Sequence, residues 1–158
     1  VGTWGRVDYY DDPAAPRANS LVPAASAIVT DADGRILLHR RRDNEMWALP
    51  GGVMELGESL GACAVREGRE ETGLEVEPVG IVGIYSDPKH VFAYDDGEVR
   101  QEFSICLRCE VVGGEVRSSE ESYEVEFFTP DAVEQLPMVD SIRLRIIDFL
   151  SGATPVIR

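Results

Sequence analysis

GVMELGE at residues 52–58 and AVREGREETGL at residues 64–74 are the two stretches that decide the fold of this chain. In a helix, residues three and four positions apart share one face, so Glu67, Glu70 and Glu71 lie together. Like charges at this spacing destabilise an isolated helix by roughly 0.2–0.5 kcal/mol per pair. A hard divalent cation removes this repulsion, and ligands that are all oxygen favour Mg²⁺ or Mn²⁺ over zinc. The two stretches therefore predict a metal site.

The same residues resemble the Nudix box, the motif of a family of hydrolases that cleave nucleoside diphosphates linked to another moiety. WALPGG at residues 47–52 resembles the segment that usually precedes the box. One position departs from the family pattern, because Gly68 stands where a bulky aliphatic residue is expected. A glycine inside a helix costs roughly 1 kcal/mol relative to alanine, so Gly68 needs a close packing contact or weakens the helix. The positions that match the family spacing are Gly52, Glu58, Arg66, Glu67, Glu70, Glu71, Gly73 and Leu74.

The resemblance implies the roles of the residues in the box. Arg66 is expected to pair with the box carboxylates and to orient them toward the metal. Two sources of the general base stay open, a box glutamate or an acidic residue of segment 120–124, where the resemblance favours Glu121 and then Glu124. The implied metal ligands are Glu67, Glu70 and Glu71, with Glu58 as an additional ligand and the backbone carbonyl of Gly52 completing the shell.

Candidate substrate contacts flank the box. Arg40, Arg41 and Trp47 precede it, where a guanidinium can hold phosphate and an indole can stack on a base. Tyr85 and the loop over residues 87–95 are expected to form the other wall. The resemblance leaves the substrate open among a nucleoside triphosphate, ADP-ribose, a nucleotide sugar and a dinucleoside polyphosphate.

Length and composition predict one globular domain. The chain has 158 residues, of which 44% are hydrophobic, which is enough for a real core. Residues 1–20 are polar and broken by prolines, so we expect an N-terminal arm followed by a single Nudix-like hydrolase domain over residues 21–158. No segment is long enough to cross a membrane, and residues 1–10 do not resemble a secretory signal, so we expect a cytoplasmic protein. The three cysteines have no paired spacing and are expected to be small buried hydrophobic residues.

The charge of the chain restricts its partners. Fifteen Lys and Arg against 29 Asp and Glu give a net charge of −14, which repels the backbone of long nucleic acids. A small nucleotide-derived substrate stays compatible with this charge, because metal ions and a few arginines invert the local field. Relatives of the resembled family often pair, which implies a homodimer.

The pattern of strands and helices predicts the α/β (α+β) class. Strands before and after two helices indicate a Nudix-like α/β/α sandwich, with a mixed β-sheet between helices. The first helix is expected to begin near Ser59 and end at Gly73, and to pack on the sheet through Gly61, Val65, Gly68 and Thr72. Asp140 or Ser141 is expected to cap the second. The predicted strands cover residues 25–29, 35–39, 79–85, 103–111 and 125–128, the last helix covers 142–150, and 86–97 is predicted as a loop.

Three functional hypotheses follow from these observations. The first is a metal-dependent hydrolase, and the second is a catalytically silent module of the same fold that senses a nucleotide. The intact set of glutamates favours the enzyme, since a sensor has no need for every metal ligand. The third is an acidic interaction domain, which would show no site-specific metal binding. His39 and His90 are interpreted as ordinary polar residues, and Cys63 is not expected to act as a nucleophile.

Overall fold

A mixed sheet of eight strands forms the centre of the structure, a computed structural model that describes residues 5–158. The first four residues of the expected arm therefore lie outside the described residues. The strands and helices are β1 (Val7–Tyr10), β2 (Ser20–Leu21), β3 (Ala24–Thr30), β4 (Ile36–Arg41), β5 (Trp47–Ala48), β6 (Gly51–Val53), α1 (Leu60–Thr72), β7 (Leu74–Tyr85), β8 (His90–Ala93), β9 (Val99–Gln101), β10 (Ser104–Gly114), β11 (Ser122–Phe128), α2 (Pro130–Val133), α3 (Asp140–Ser151) and β12 (Val156–Ile157).

The strand order of the central sheet is β11-β4-β3-β10-β7-β12, with β5 paired to β4 and β6 paired to β3. The neighbours β3 and β10 are parallel, whereas β10 and β7 are antiparallel, so the sheet is mixed as predicted. Between β3 and β4, Gly34 supplies the positive φ of 76° in the predicted turn. Because β6 pairs with the start of β3, the residues that lead into the box belong to the sheet.

Helices cover both faces of this sheet, which confirms the predicted sandwich. Ala25, Ala27 and Val29 of β3 pack with Cys63 and Ala64 of α1 in one apolar cluster. Ile28, the alternate residue of β3, packs in a second cluster with Ile146 of α3. Since successive side chains of a strand point to opposite faces, the two clusters lie on the two sides of the sheet. Strand β10 likewise buries both of its faces, rather than the single face that its alternation suggests, with Cys106 and Leu107 in different clusters.

Helix α1 has the ends that the sequence predicts. The side chain of Ser59 accepts a hydrogen bond from the backbone N–H of Ala62 at 3.1 Å, and Gly73 ends the helix with φ of 82°. Its buried strip differs in part from the prediction, since Gly68 and Thr72 are buried while Gly61 and Val65 are only half-buried. A β-carbon on Gly68 would lie 3.3 Å from Cγ2 of Val76, so this glycine does allow a close contact with β7.

A second sheet of four strands, in the order β1-β8-β9-β2, was not predicted. Residues 86–97 are not one loop, because His90–Ala93 forms β8 and pairs with Val7–Tyr10 of the N-terminal segment. The pairing joins residues at least 80 positions apart in the sequence, which no local pattern reveals.

The C-terminal helix also starts differently from the prediction. Val139 occupies the N-cap of α3 with no capping hydrogen bond from its side chain, and Asp140 is already in the first turn. An acidic residue in the first turn still interacts favourably with the helix dipole. Within residues 5–158, none of the helices has the length and hydrophobicity required to span a bilayer.

Candidate active site

The box glutamates lie at a cleft of about 660 Å³. Gly52, Glu67, Glu70 and Glu71 line it together with residues of β5 and β6. Residues of the second sheet also line this cleft, so it lies between the two sheets and the helix that carries the glutamates. A cleft of this size suits a nucleotide-sized molecule.

Arg66 joins the box carboxylates to one another. Its Nε donates to Oε2 of Glu58 at 2.6 Å, and its Nη1 lies 2.9 Å from Oε1 of Glu67 and 3.3 Å from Oε2 of Glu70. Its Nη2 also donates to the backbone carbonyl of Val53 at 3.1 Å. The hydrogen bond from Arg66 lowers the pKa of Glu58 to about 2, and the same contact raises the pKa of the guanidinium. Arg66 therefore makes the contacts expected of a residue that orients carboxylates.

Glu67 and Glu71 form the buried part of the cluster. Burial, followed by the negative charge of Glu71, raises the pKa of Glu67 well above its ordinary range. Glu71 has only 2% of its surface exposed, and its Oε1 accepts a hydrogen bond from the backbone N–H of Gly51 at 2.9 Å. Two carboxylates so close and so buried repel each other unless a proton or a cation lies between them.

Gly52 leaves room for the Glu67 carboxylate. A β-carbon on Gly52 would lie 2.3 Å from Oε1 of Glu67, a distance that non-bonded atoms do not reach. The missing side chain therefore allows an acidic group to lie directly against the backbone of β6. The carbonyl oxygen of Gly52, which lies 3.5 Å from Sγ of Cys63, belongs to the same corner of the cleft.

These residues fit a hard divalent cation by their chemistry. Every donor is oxygen, and a single arginine, Arg66, lies within 4 Å of the carboxylates of Glu55, Glu58, Glu67 and Glu70. In residues 5–158, no group of three or more His, Cys, Asp or Glu side chains is already gathered around one point for a metal ion. The contacts to Arg66 account for the separation of these side chains, because the guanidinium holds three of the carboxylates.

The two candidate bases outside the box occupy different places. Glu121 lines the cleft. Glu124, three residues later, lies outside the cleft lining and pairs with Arg40 at 3.3 Å. The guanidinium of Arg40 also packs over the ring of Tyr123, 5.1 Å from its centre. The structure thus places Glu121 on the same cleft as the glutamates, whereas Arg40 and Glu124 do not line that cleft.

Of the other proposed substrate contacts, Arg41 and Trp47 line the cleft and Tyr85 does not. Arg41 donates to Asp43 at 2.6 Å, and Trp47 packs edge-on against Phe128 with 4.8 Å between ring centres. Tyr85 is buried, and its hydroxyl donates to Asp148 at 2.9 Å. Burial raises the pKa of Cys63 to about 12, so the thiol is not activated for nucleophilic attack.

Several residues that line the cleft were missed in the sequence. Arg6 packs over Phe92 and Arg100 packs over Tyr94, each with 4.8 Å between the guanidinium carbon and the ring centre. Arg6 and Arg100 lie on or beside the second sheet, so a prediction that lacked this sheet had no means of placing them. Phe92 and Tyr94 belong to the segment 87–95 that was expected to form a wall of the site. His39 was also missed. From the sequence it is interpreted as an ordinary polar residue, but its buried imidazole lies 3.0 Å from Oε2 of Glu71.

Comparisons of sequence and of fold show which known proteins this chain is similar to. The family model described as NUDIX domain matches residues 20–150. A MutT-like protein of Streptomyces ambofaciens is 37% identical over 135 residues, which are 85% of this chain and 80% of that protein. An ADP-ribose pyrophosphatase of Methanocaldococcus jannaschii is 36% identical over 103 residues, which are 63% of this chain and 57% of that protein.

A solved structure shows the same fold. The chain aligns with an ADP-ribose pyrophosphatase of Streptococcus suis 89-1591 with a TM-score of 0.64 and 22% identity. The alignment covers 86% of this chain and 97% of that one. Nearly all of the solved domain therefore has a counterpart here.

Proposed function

The chain belongs to the NUDIX domain family, and on that premise we propose that it uses a divalent cation to hydrolyse the pyrophosphate linkage of a nucleoside diphosphate joined to another moiety. The observation that carries this proposal is the convergence of Glu58, Glu67 and Glu70 on Arg66 beside the cleft. A surface ion pair contributes only about 0–1 kcal/mol, so stability alone does not explain three carboxylates at one arginine.

The cation of the proposal is Mg²⁺ or Mn²⁺. Glu67, Glu70 and Glu71 would hold it, with Glu58 and the carbonyl of Gly52 completing the set. Such an ion, when bound, supplies positive charge for the phosphate oxygens and lowers the pKa of a water molecule. Arg66 has a separate role, since its hydrogen bonds fix which oxygens of the carboxylates are free to face the cleft.

Glu121 is the proposed general base. It lines the cleft, where its carboxylate could take a proton from the attacking water. Glu124 instead pairs with Arg40 and lies outside the lining of the cleft. Among the acidic residues of segment 120–124, Glu121 is therefore the one that the cleft favours.

The proposed substrate is a small dinucleotide-like or sugar-linked diphosphate, with ADP-ribose as the first compound to test. The Methanocaldococcus jannaschii relative carries the name ADP-ribose pyrophosphatase. Phe92 and Tyr94 give the cleft aromatic surface for a base, and Arg41 and Arg100 give it positive charge for phosphate. Trp47 is 6% exposed and belongs to the apolar core, so it supports the wall of the cleft from behind.

A substrate screen tests this function. The protein is incubated with Mg²⁺ and, separately, with ADP-ribose, nucleoside triphosphates, nucleotide sugars and dinucleoside polyphosphates, and the products are identified by mass spectrometry. We expect cleavage between two phosphorus atoms, and we expect no product when EDTA removes the cation. Tight binding of these compounds without any turnover would instead identify a nucleotide sensor and would refute the proposed hydrolysis.

A further inference from the structure

A buried pair of side chains lies behind the glutamates and contacts only one of them. The imidazole of His39, on β4, is 1% exposed, and the hydroxyl of Ser122, on β11, is fully buried. Nδ1 of His39 lies 2.7 Å from Oγ of Ser122, and Nε2 lies 3.0 Å from Oε2 of Glu71. We infer, on the basis of the function proposed above, that His39 and Ser122 are positioning residues that orient the Glu71 carboxylate for the cation.

The hydrogens of this group can be assigned by counting donors. Oγ of Ser122 lies 3.0 Å from the backbone carbonyl of Glu71, which can only accept, so the hydroxyl donates there. Glu71 is in the last turn of α1, where carbonyl groups lack partners within the helix. Since its one hydrogen is used, Oγ accepts from the N–H at Nδ1 of His39, and Nε2 can donate to Glu71 only when the ring carries a hydrogen on both nitrogens, as an imidazolium. Ser122 thus fixes the imidazole with its Nε2 edge toward Glu71.

The Glu71 carboxylate has a neighbour at each oxygen, a hydrogen bond at Oε1 and a charge contact with an imidazolium at Oε2. The backbone N–H of Gly51 donates to Oε1 at 2.9 Å, while Nε2 of His39 faces Oε2. A carboxylate offers about four lone-pair positions, so one contact at each oxygen leaves capacity on both for a cation. The protein contacts therefore fix the direction of the carboxylate without exhausting its acceptors.

Packing alone gives no reason for an imidazole at this position. The three residues that precede it on β4, Ile36–Leu38, are apolar and fully buried. A polar ring among such neighbours costs free energy unless hydrogen bonds replace its contacts with water. Both contacts of the His39 ring lead to Glu71, one directly and one through Ser122 to the backbone carbonyl. This convergence assigns His39 to the glutamate rather than to the core.

Binding of Mn²⁺ to the full chain without nucleotide tests the inference, with calorimetry or electron paramagnetic resonance as the readout. His39→Leu is expected to weaken binding by about 10- to 100-fold, the usual effect of removing a group that orients a metal ligand. Ser122→Ala is expected to weaken it less, and His39→Gln, whose amide can reach Glu71, to recover part of the loss. Because Ser122 acts through His39, the double variant His39→Leu/Ser122→Ala should bind no more weakly than His39→Leu.

His90→Leu is the matched control, since it removes another buried histidine that lies 3.8 Å from a carboxylate, here Glu102. We expect this control to change stability but to leave Mn²⁺ affinity within about twofold, a change well below the 10-fold lower limit for orienting groups. If His39→Leu does not fold, the Mn²⁺ affinities of Ser122→Ala and His39→Gln test the inference. Wild-type Mn²⁺ affinity in both would overturn the inference while leaving the proposed function intact. Wild-type protein that neither binds Mn²⁺ nor turns over substrate would refute the proposed function instead.

Discussion

At the residue scale, two adjacent glycines have different reasons to lack a side chain. A β-carbon on Gly51 would lie 2.5 Å from the carbonyl oxygen of Ala25 and 2.8 Å from Cα of Ser26, which are backbone atoms of β3. A β-carbon on Gly52 would instead meet the end of the Glu67 side chain. Backbone atoms of a paired strand cannot move aside, whereas a carboxylate can. Gly51 is therefore needed for the sheet and Gly52 for the site.

Substitution of each glycine by alanine separates the two requirements. Gly51→Ala is expected to destabilise the fold by about 1–3 kcal/mol, the usual cost of overpacking. Gly52→Ala is expected to keep most of the stability but to displace Glu67 and lower turnover. Denaturant unfolding and steady-state kinetics measure the two effects. Full turnover in Gly52→Ala would show that the position of Glu67 does not matter.

The choice of general base can be tested with two neighbouring glutamates. Glu121→Gln is expected to lower turnover by about 10²- to 10⁴-fold, the range attributed to general acid–base catalysis, with little change in Mn²⁺ affinity. Glu124→Gln is the control, because Glu124 lies outside the cleft lining and its pair with Arg40 is at the surface. A loss of turnover in Glu124→Gln alone would show that the base has been assigned to the wrong residue.

At the element scale, helix α1 was largely predictable and its surroundings were not. The cap at Ser59, the stop at Gly73 and the shared face of the glutamates all follow from residues close in sequence. The second sheet depends on pairing between β1 and β8, and the contact of His39 with Glu71 depends on packing of α1 against β4. A local sequence pattern predicts the spacing of residues along one helix or strand. It does not predict which distant helix or strand packs against it.

Gly68 is the point where α1 departs from the family pattern and meets the sheet. The space that a side chain would need is occupied by Val76, at 3.3 Å from the position of a β-carbon. Gly68→Leu, which restores a bulky aliphatic residue, is expected to lower the free energy of unfolding by about 1–3 kcal/mol through overpacking. Adding Val76→Ala should recover part of this loss. Chemical denaturation measures both, and a more stable Gly68→Leu variant would contradict the packing explanation.

Asp148 connects α3 to two strands. Its Oδ1 accepts from Nη2 of Arg158 at 2.7 Å, and its Oδ2 accepts from the hydroxyl of Tyr85 at 2.9 Å. The hydrogen bonds from Arg158, and then from Tyr85, lower the pKa of Asp148 despite its burial. The folded pKa thus lies below the unfolded value of about 3.9, so the stabilisation is complete above the unfolded pKa and is lost as pH falls through the folded one.

Asp148→Asn tests this connection. Near neutral pH the free energy of unfolding of the variant is expected to be about 1.5–3 kcal/mol lower than that of the wild type, the usual contribution of hydrogen bonds to a charged group. The difference from wild type should shrink as the pH falls below about 4, because the carboxylate of the unfolded wild type is protonated first and that of the folded protein follows at its lower pKa. Urea unfolding of both proteins at several pH values measures this difference in the free energy of unfolding. A difference that grows toward low pH would have the wrong sign for a lowered pKa.

At the scale of the whole molecule, the two sheets and α1 enclose one cleft that both acidic and basic groups line, several of them in direct ion pairs. The chain carries a net charge of −14, yet Arg6, Arg41 and Arg100 all line this cleft with the glutamates. A cation bound at the carboxylates would make the local charge less negative, which favours the binding of an anionic diphosphate. The net charge of −14 predicts weak binding of nucleic-acid polymers.

The most direct test is the turnover of the best substrate of the screen as Mg²⁺ is varied, in wild type and in Glu70→Gln. Glu70 is the best choice because its side chain is 54% exposed, so the substitution should not disturb the fold. Glu75→Gln, a change in an exposed pair with Arg69, is the control. We predict that Glu70→Gln needs more Mg²⁺ and turns over at least about 100-fold more slowly, as expected when a charge contact to the transition state is removed. Wild-type turnover and Mg²⁺ dependence in Glu70→Gln would contradict the account.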